Sequence, residues 1–408
     1  MGTLIRFELK KVLGNKAGVA ACALAYALLV ALAVATLTTT SMRDHASGRI
    51  VHGLEAQQAY RLLEESHSGL LSDERIAADV ATLERANQLA KETPGVFDLS
   101  EQEIIDTYGL ELWQQTFGII NQHYYYEVVG TLDCASPRAT SIQDGVQARL
   151  DGALDEGFEY YFPYSESERA YWHDKAQKVD WPIEYGYAGG WKNANELMDW
   201  AALAIIALCI ALCGSFAGEY QNRTAAVVLP TKRGKSSLPT AKAVAAFIFT
   251  TVYWWFTVLS TLAIYLATCG ADGASLPVQV VTHFDNPYPL TACQAVFMEY
   301  LLGYLLSLGM AAFTLFLSSR MRSTVAMTAI PMAMVFLGAF GTSINPIAKY
   351  MILTPMSAQV HIFTHSMPSY AVGSLVLDLP SLLAILYGTA TVLFIPLAMR
   401  IFKRHQVA

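Results

Sequence analysis

The sequence predicts an all-α membrane protein with six transmembrane helices and a mostly helical extracytoplasmic domain between the first two. Three observations indicate this class: an apolar composition, repeated apolar runs of bilayer-crossing length, and one long polar stretch. Of the 408 residues, 54% are hydrophobic and 15% are charged. An average soluble domain has about 25% charged residues. The composition therefore indicates an integral membrane protein.

Six apolar runs are predicted to span the bilayer. A helix needs about 20 mainly apolar residues to cross the hydrocarbon core. The predicted spans are residues 17–38, 201–217, 243–268, 293–317, 324–344 and 381–399. Ala33-Val34-Ala35 also resembles a signal-peptidase site, and cleavage there would leave five spans. Because the apolar run continues to Leu37, we expect the first span to be retained.

Lysine and arginine predict the orientation, since positively charged residues next to spans stay on the cytoplasmic side. They concentrate on alternate connections, beginning with the N-terminal segment. The residues predicted to be cytoplasmic are Arg6, Lys10, Lys11, Lys16, Arg223, Lys232, Arg233, Lys235, Lys242, Arg320, Arg322, Arg400, Lys403 and Arg404. Both termini are therefore expected inside a bacterial cytoplasmic membrane, with residues 39–200 outside.

Residues 39–200, called here the inserted region, are strongly acidic. From residue 41 to residue 196 there are 27 acidic residues against 12 basic ones, a net charge of −15, compared with −7 for the whole chain. Since a large domain is translocated whatever its charge, its basic residues are compatible with an outer location.

Helix signals dominate the inserted region. The pairs Ser100–Glu103 and Ser165–Glu168 have capping-box spacing, which is typical of helix starts. Strand-like alternation is scarce. Tyrosine and tryptophan crowd residues 160–200, as expected for side chains at the outer membrane interface. We expect a helical domain held to the membrane by these rings; the alternative is a binding surface for a peptide or lipid.

Residues 231–237, TKRGKSS, contain the Gly-Lys-Ser that ends a phosphate-binding P-loop. A P-loop needs a glycine five residues before its second glycine so that the backbone can fold around the phosphates. Leu229 occupies that position, and the inner segment 217–242 is too short for the α/β domain behind such a loop. The sequence offers no triad of nucleophile and base and no cluster of metal ligands. No catalytic residue, metal or cofactor is therefore assigned to this chain.

The wider stretch FAGEYQNRTAAVVLPTKRGKSSLPTAK resembles the coupling region of the permease subunits of type-2 ABC exporters. In that family the second span runs into an E-Y-x-x-G-T-like turn, a leucine-rich segment, a Ser/Pro-Arg pair and an A-K pair. The residues that carry the resemblance are Glu219, Tyr220, Thr224, Leu229, Lys232, Arg233, Ala241 and Lys242, while Arg223 stands where the family has glycine. Residues 1–16 resemble the interfacial amphipathic helix of these permeases. The six spans, the large outer insertion and the YGYAGGW motif at 185–191 resemble a bacterial branch of the family.

This resemblance implies an efflux transport subunit rather than an enzyme. It implies a cytoplasmic ATPase partner, which binds ATP and magnesium and docks on the loop 217–242, and a second permease, either a copy or a paralogue. It also implies an outer gate element at 345–380, where Lys349 and Pro355 interrupt an apolar stretch. The residues there predict a re-entrant or surface-lying pair of short helices in place of one straight span. The implied coupling residues are Glu219, Tyr220, Arg223, Thr224, Lys232 and Arg233. Besides these partners we expect the lipid bilayer and no nucleic acid.

An alternative function belongs to a different class. The chain could be a membrane-anchored sensor or immunity protein whose acidic outer domain binds a peptide ligand. The short inner segments, which offer no signalling module, favour the transport interpretation. A membrane-embedded enzyme ranks third because convergent catalytic residues are missing from the sequence.

Two further predictions concern polar residues in or beside the spans. Glu299 lies in the fourth predicted span, and a carboxylate at the bilayer centre costs at least about 2.5 kcal/mol. It is expected either to face a translocation pathway or partner, or to reach the membrane interface. Cys269 and Cys293 flank the predicted outer segment between the third and fourth spans and could form a disulfide in an oxidising space.

Overall fold

The structure is a computed structural model that describes residues 1–130, 141–157, 163–222, 224, 227, 230–231, 234–321, 323–341, 347–360, 362–363, 367–373 and 375–404. Most of the chain is helical. Helices α1 to α10 are Gly2–Gly14, Lys16–Thr39, Gly53–Ser66, Asp73–Glu92, Glu101–Tyr108, Leu110–Gln115, Phe117–Ile120, Ile142–Glu156, Glu166–Ala176 and Gly189–Leu197. Helices α11 to α18 are Ala202–Leu212, Gly214–Gln221, Leu238–Cys269, Ala292–Arg320, Thr324–Gly341, Ala348–Met351, Pro355–Val360 and Leu379–Arg404. Strands β1 to β6 are Ser41–Arg43, Ile50–His52, Gly69–Leu70, Glu184–Tyr185, Ser369–Val372 and Leu375–Asp378.

Within the described residues, five helical segments are long and apolar enough to cross a membrane. They are α2, the continuous pair α11–α12, α13, α14 and α18, which correspond to five of the six predicted spans. The remaining predicted span corresponds to α15, whose apolar part, Val325–Gly338, is shorter. The helical class and the compatibility with a membrane are thereby confirmed, whereas the count of six spans stays a prediction.

Two glycines let these helices approach closely. A Cβ atom on Gly18 of α2 would lie 2.6 Å from Cα of Ala211 in α11. A Cβ atom on Gly309 of α14 would lie 2.6 Å from Cδ1 of Tyr387 in α18. Such distances are shorter than real contacts, so any side chain at either position would push two helices apart. Small residues serve this purpose at many membrane helix interfaces.

The described residues of the inserted region are mostly helical, while its character as a separate outer domain stays a prediction. Both predicted capping boxes, Ser100–Glu103 and Ser165–Glu168, are formed at the starts of α5 and α9. Strands β3 and β4 pair Gly69 with Tyr185 in antiparallel register. Since these residues are far apart in the sequence, the pairing joins the beginning of the region to its end.

The aromatic residues near the end of the inserted region are mostly buried, which contradicts the expected interfacial belt. The described ones with buried rings are Tyr164, Trp172, Tyr185, Tyr187 and Trp191, while Trp200 is 52% exposed. The buried rings belong to a hydrophobic core that continues into the C-terminal end of α13 and the N-terminal ends of α14 and α18. They fill the junction between the inserted region and the membrane helices, which removes them from the lipid interface.

Segment 345–380 contains the short helices α16 and α17, followed by the β5–β6 hairpin. The hairpin pairs Ser369 with Asp378 and leads directly into α18. The sequence predicted short helices here but not the hairpin. The depth of this segment in the membrane, and its re-entrant character, stay predictions.

Candidate functional site

Four charged side chains meet where α1, α12 and α13 come together. Glu219, in the last turn of α12, accepts hydrogen bonds from Nζ of Lys11 at 2.6 Å and Nζ of Lys242 at 2.9 Å. Lys242 also donates to Glu8 at 2.7 Å, and Nζ of Lys11 lies 3.3 Å from Glu8. We call Glu8, Lys11, Glu219 and Lys242 the inner ion network. It joins the N-terminal helix to both helices that flank the loop 217–242.

Three members of the inner ion network are almost fully buried. The exposed fractions of the Glu8, Glu219 and Lys242 side chains are 4%, 5% and 2%, whereas that of Lys11 is 42%. Buried charges are tolerated when each has a partner, and the two positive and two negative groups here balance. Removing one partner from a buried pair typically costs about 3–5 kcal/mol, because the other charge remains uncompensated. The network is therefore expected to move as one unit.

Lys11, like Glu8, lies in α1 and outside the candidate membrane-spanning helices. Partial burial acts to lower its pKa, but the hydrogen bond to Glu219 and the negative charges of Glu8 and Glu219 outweigh this effect. The pKa of Lys11 is consequently raised above its ordinary value. Its ammonium group is held in the charged form.

Asn15 fixes the direction of α1. This residue separates α1 from α2, and its side-chain oxygen accepts a hydrogen bond from the N–H of Gly18 at 3.2 Å. Its amide nitrogen donates to the carbonyl oxygen of Ala211 at 3.3 Å. The junction of α1 and α2 is thus attached to α11, and Glu8 and Lys11 are directed towards Glu219.

The end of the second membrane helix is attached to two further helices. The N–H groups of Phe216 and Ala217 donate to Oγ of Ser318 in α14, each at 3.0 Å. The ring of Tyr220 lies 5.9 Å from that of Phe402 in α18. Phe216 and Phe402 belong to one buried apolar cluster. A displacement of α12 would therefore disturb its contacts with α1, α13, α14 and α18.

The structure brings together some of the predicted coupling residues. Thr224 donates a hydrogen bond from Oγ1 to Glu219, and Tyr220 follows Glu219 directly. The other predicted coupling residues, Arg223, Lys232 and Arg233, lie outside the described residues, as does Leu229.

Sequence reasoning missed Glu8 altogether and treated Lys11 only as a topological signal. It used Lys242 as a topological signal and as part of the A-K pair of the resemblance, but not as a partner of Glu219. One sequence feature could have identified Glu8 as a member of the site. Glu8 and Glu219 are the only acidic residues in the predicted cytoplasmic segments, which are otherwise basic. A lone carboxylate among many cations is a candidate for an internal ion pair.

A cavity of about 900 Å³ opens beside the inner ion network. Its walls come from α1, the start of α2, α11, α12 and α13, with Thr328 of α15. Phe7, Val12 and Ile210 supply apolar surface, and the network supplies charge. The volume lies within the range of about 300–1,000 Å³ that is usual for small-molecule sites.

Glu299 lies inside the helix bundle. Only 3% of the residue is exposed, and its Oε2 accepts no hydrogen bond from any described residue. The side chain is therefore enclosed by the chain, and its position relative to the membrane interface stays a prediction. A role in a translocation pathway stays a prediction.

Cys269 and Cys293 are free thiols, so the disulfide considered from the sequence is not formed. The buried Sγ of Cys269 contacts other groups instead: Asn193 donates to it at 3.6 Å, and it donates to Gln57 at 3.7 Å. Among the residues that the structure describes, no group of three or more His, Cys, Asp or Glu side chains could hold a metal ion.

Two ion pairs attach the inserted region to the segment before α18. Glu168 of α9 pairs with Lys349 at 2.9 Å, and Lys175 of the same helix pairs with Asp378. We call these the outer ion pairs. The positions of Glu168 and Lys175 differ by seven residues, which places both on one face of α9.

An aromatic and polar contact surface lies between the outer ion pairs. Nε1 of Trp172 donates to Oγ of Ser369 at 3.2 Å, and Nζ of Lys175 lies 3.6 Å from the ring centroid of Tyr288. Asp378 also accepts a hydrogen bond from the N–H of Ser381 at 3.1 Å, at the start of α18. The contact therefore reaches the first turn of the last membrane helix.

The carboxyl groups of the outer ion pairs are stabilised in their charged form. Burial acts to raise their pKa values, but neighbouring groups outweigh it. For Glu168 these groups are the Ser165 N–H and Lys349, and for Asp378 the main one is Lys175. The pKa of each carboxyl is consequently lowered.

Comparison with known proteins gives one family match. Residues 182–408, more than half of the chain, match the model of a family described as "Protein of unknown function (DUF2705)". The match includes Glu219 and Lys242 of the inner ion network, but it begins after Glu8 and Lys11. No curated protein and no solved structure matches the chain.

Proposed function

The chain belongs to the DUF2705 family, and we propose that this member is the permease subunit of an ATP-driven exporter. In this proposal the chain forms the translocation path with a second permease, either a copy or a paralogue. A separate ATPase, which binds ATP and magnesium, docks on the loop 217–242. Both termini lie in the cytoplasm, and the inserted region lies outside.

The observation that supports this proposal most is the inner ion network. A permease without its own ATPase domain must receive mechanical work through a cytoplasmic contact. Glu219 lies at the start of the loop 217–242 and Lys242 at its end, and both are ion-paired to α1. A force on the loop would therefore reach three membrane-associated helices together.

The charge of the loop is also consistent with docking. TKRGKSS has three basic residues and no acidic one, and an ATPase that presents acidic side chains would be attracted to it. The Gly-Lys-Ser triplet is part of this docking surface in the proposal and does not bind a nucleotide.

Hydrogen–deuterium exchange with and without a non-hydrolysable ATP analogue tests the coupling role in the assembled permease–ATPase complex. The variant Glu219→Gln with Lys242→Met removes one charge of each sign and leaves Glu8 paired with Lys11. In the wild type we expect nucleotide to change exchange in the loop, in Gly2–Gly14 and in Leu238–Cys269. In the double variant we expect the change to remain confined to the loop.

The matched control is Asp174→Asn with Lys178→Gln, which removes an exposed ion pair of the inserted region. We expect this control to respond like the wild type. An undiminished response of α1 and α13 in the double variant would contradict the coupling role of the network. A wild-type complex that shows no response to nucleotide would contradict the exporter proposal itself.

A further inference from the structure

We propose that the cavity beside the inner ion network is a binding site for an anionic phospholipid. The phosphate would lie at Lys11, and an acyl chain would follow α2 into the membrane. The lipid is a resident ligand in this proposal and not a transported substrate. The inference does not depend on the ATPase partner.

The cavity has room for a ligand. Gly214 and Gly218 of α12 both line it, and a Cβ atom added to either would meet no other atom within 4 Å. The volume of about 900 Å³ is large enough for a headgroup and the first part of an acyl chain. Its walls combine apolar side chains with an ammonium group, which suits an amphipathic molecule.

The accessible charge in the cavity is positive. The carboxylates of Glu8 and Glu219 are buried, whereas the Lys11 side chain is 42% exposed although it pairs with both of them. Lys10 and Lys16, which neighbour lining residues in the sequence, are also exposed. Basic pockets between membrane helices bind anionic lipid headgroups, and a phosphate group complements this arrangement.

An apolar track continues from the cavity along α2. Ala17 lines the cavity, and Leu24 and Leu28 follow it at i+7 and i+11, on the same helix face. Their exposed fractions are 72% and 44%. Only 28% of the most apolar part of α2 is buried in the structure. An acyl chain can therefore leave the cavity along a surface that is already lipid-facing.

Native mass spectrometry of the full chain in mild detergent tests this site. The protein is incubated with equal amounts of phosphatidylglycerol and phosphatidylcholine, and lipid adducts are counted. Gly214→Leu would fill the cavity, and Gly388→Leu is the matched control, because a Cβ atom there also meets nothing within 4 Å but belongs to α18. Lys11→Met tests the headgroup contact.

We expect the wild type and Gly388→Leu to retain one phosphatidylglycerol, preferred over phosphatidylcholine by about tenfold, which corresponds to about 1.4 kcal/mol. Gly214→Leu should lose that adduct, and Lys11→Met should lose the preference between the two lipids. Equal retention by Gly214→Leu and Gly388→Leu would overturn the site. Equal binding of both lipids by the wild type would overturn the headgroup assignment. If Gly214→Leu instead abolishes a dimer, a second copy covers the cavity and the proposal fails.

Discussion

The buried carboxylate of Glu219 is stabilised by two lysines, one far before it in the sequence and one after it. Lys11 precedes it by 208 residues and Lys242 follows it by 23. Each lysine alone would serve as a positive topological signal, and the carboxylate alone would be costly to bury. Together they form a connection between helices. In the exporter proposal, the coupling role therefore belongs to the whole inner ion network.

A half-buried histidine, His123, provides a pH prediction at the scale of a single residue. Nε2 of His123 accepts a hydrogen bond from Nζ of Lys192 at 3.0 Å, and its buried Nδ1 has no partner among the described residues. Burial, together with the charge of Lys192, lowers the pKa of His123 to about 4. Because the folded state keeps this imidazole neutral, stability is greatest above the unfolded pKa of about 6.5 and falls as the pH falls.

We expect His123 to cause a loss of about 2 kcal/mol in unfolding free energy between pH 7 and pH 5. Thermal unfolding of the full chain in detergent, followed at both pH values, measures this loss. His123→Gln should reduce the pH dependence, and His52→Gln, at an exposed histidine, should leave it unchanged. An unaltered dependence in His123→Gln would show that other groups cause it.

At the scale of elements, α9 connects the inserted region to the last membrane helix through the outer ion pairs. Lys175→Met would leave Asp378 buried without its ammonium partner, so we expect a destabilisation of about 3–5 kcal/mol. Adding Asp378→Asn should recover part of this loss, because the uncompensated charge disappears. Chemical unfolding, with hydrogen exchange at Ser369–Val372 as a local probe, measures both effects.

Lys178→Met is the matched control for the outer ion pairs. Lys178 lies three residues beyond Lys175 and pairs with the exposed Asp174 in a contact at 2.7 Å. Exposed ion pairs contribute about 0–1 kcal/mol, so we expect little change. Should Lys175→Met behave like this control, the pair with Asp378 does not hold the inserted region in place.

At the scale of the whole molecule, local patterns were predictable and long-range pairings were not. Apolar runs identified the membrane helices, and serine–glutamate spacing identified the starts of α5 and α9, because both signals lie within one element. The aromatic residues near Trp191 were assigned to the membrane surface because their composition suits it. Their burial depends on how the inserted region sits on α13 and α14.

In the candidate site, too, neighbours in the sequence were predictable and long-range partners were not. Glu219, Tyr220 and Thr224 are neighbours in sequence and were identified together. Glu8 reaches the site only because α1 turns at Asn15 and is attached to α11. The β5–β6 hairpin was missed because its strands are only four residues long. Over so few residues, an alternation of polar and apolar side chains cannot be recognised in an apolar sequence.

Two polar connections lie at opposite ends of the helix bundle. The inner ion network joins α1, α12 and α13, and the outer ion pairs join α9 to the start of α18. Between them, α14 and α18 pack closely at Gly309. In the exporter proposal, work applied to the loop 217–242 would pass along this path.

The most direct test of the exporter proposal is purification of the tagged chain from its native cells in mild detergent, with mass spectrometry of the proteins that accompany it. We expect a soluble protein with a complete P-loop to co-purify. Lys232→Glu with Arg233→Glu should release it, whereas Lys403→Glu with Arg404→Glu, at the end of α18, should not. A chain that purifies without an ATPase, under conditions that keep other transporter complexes intact, would contradict the proposal.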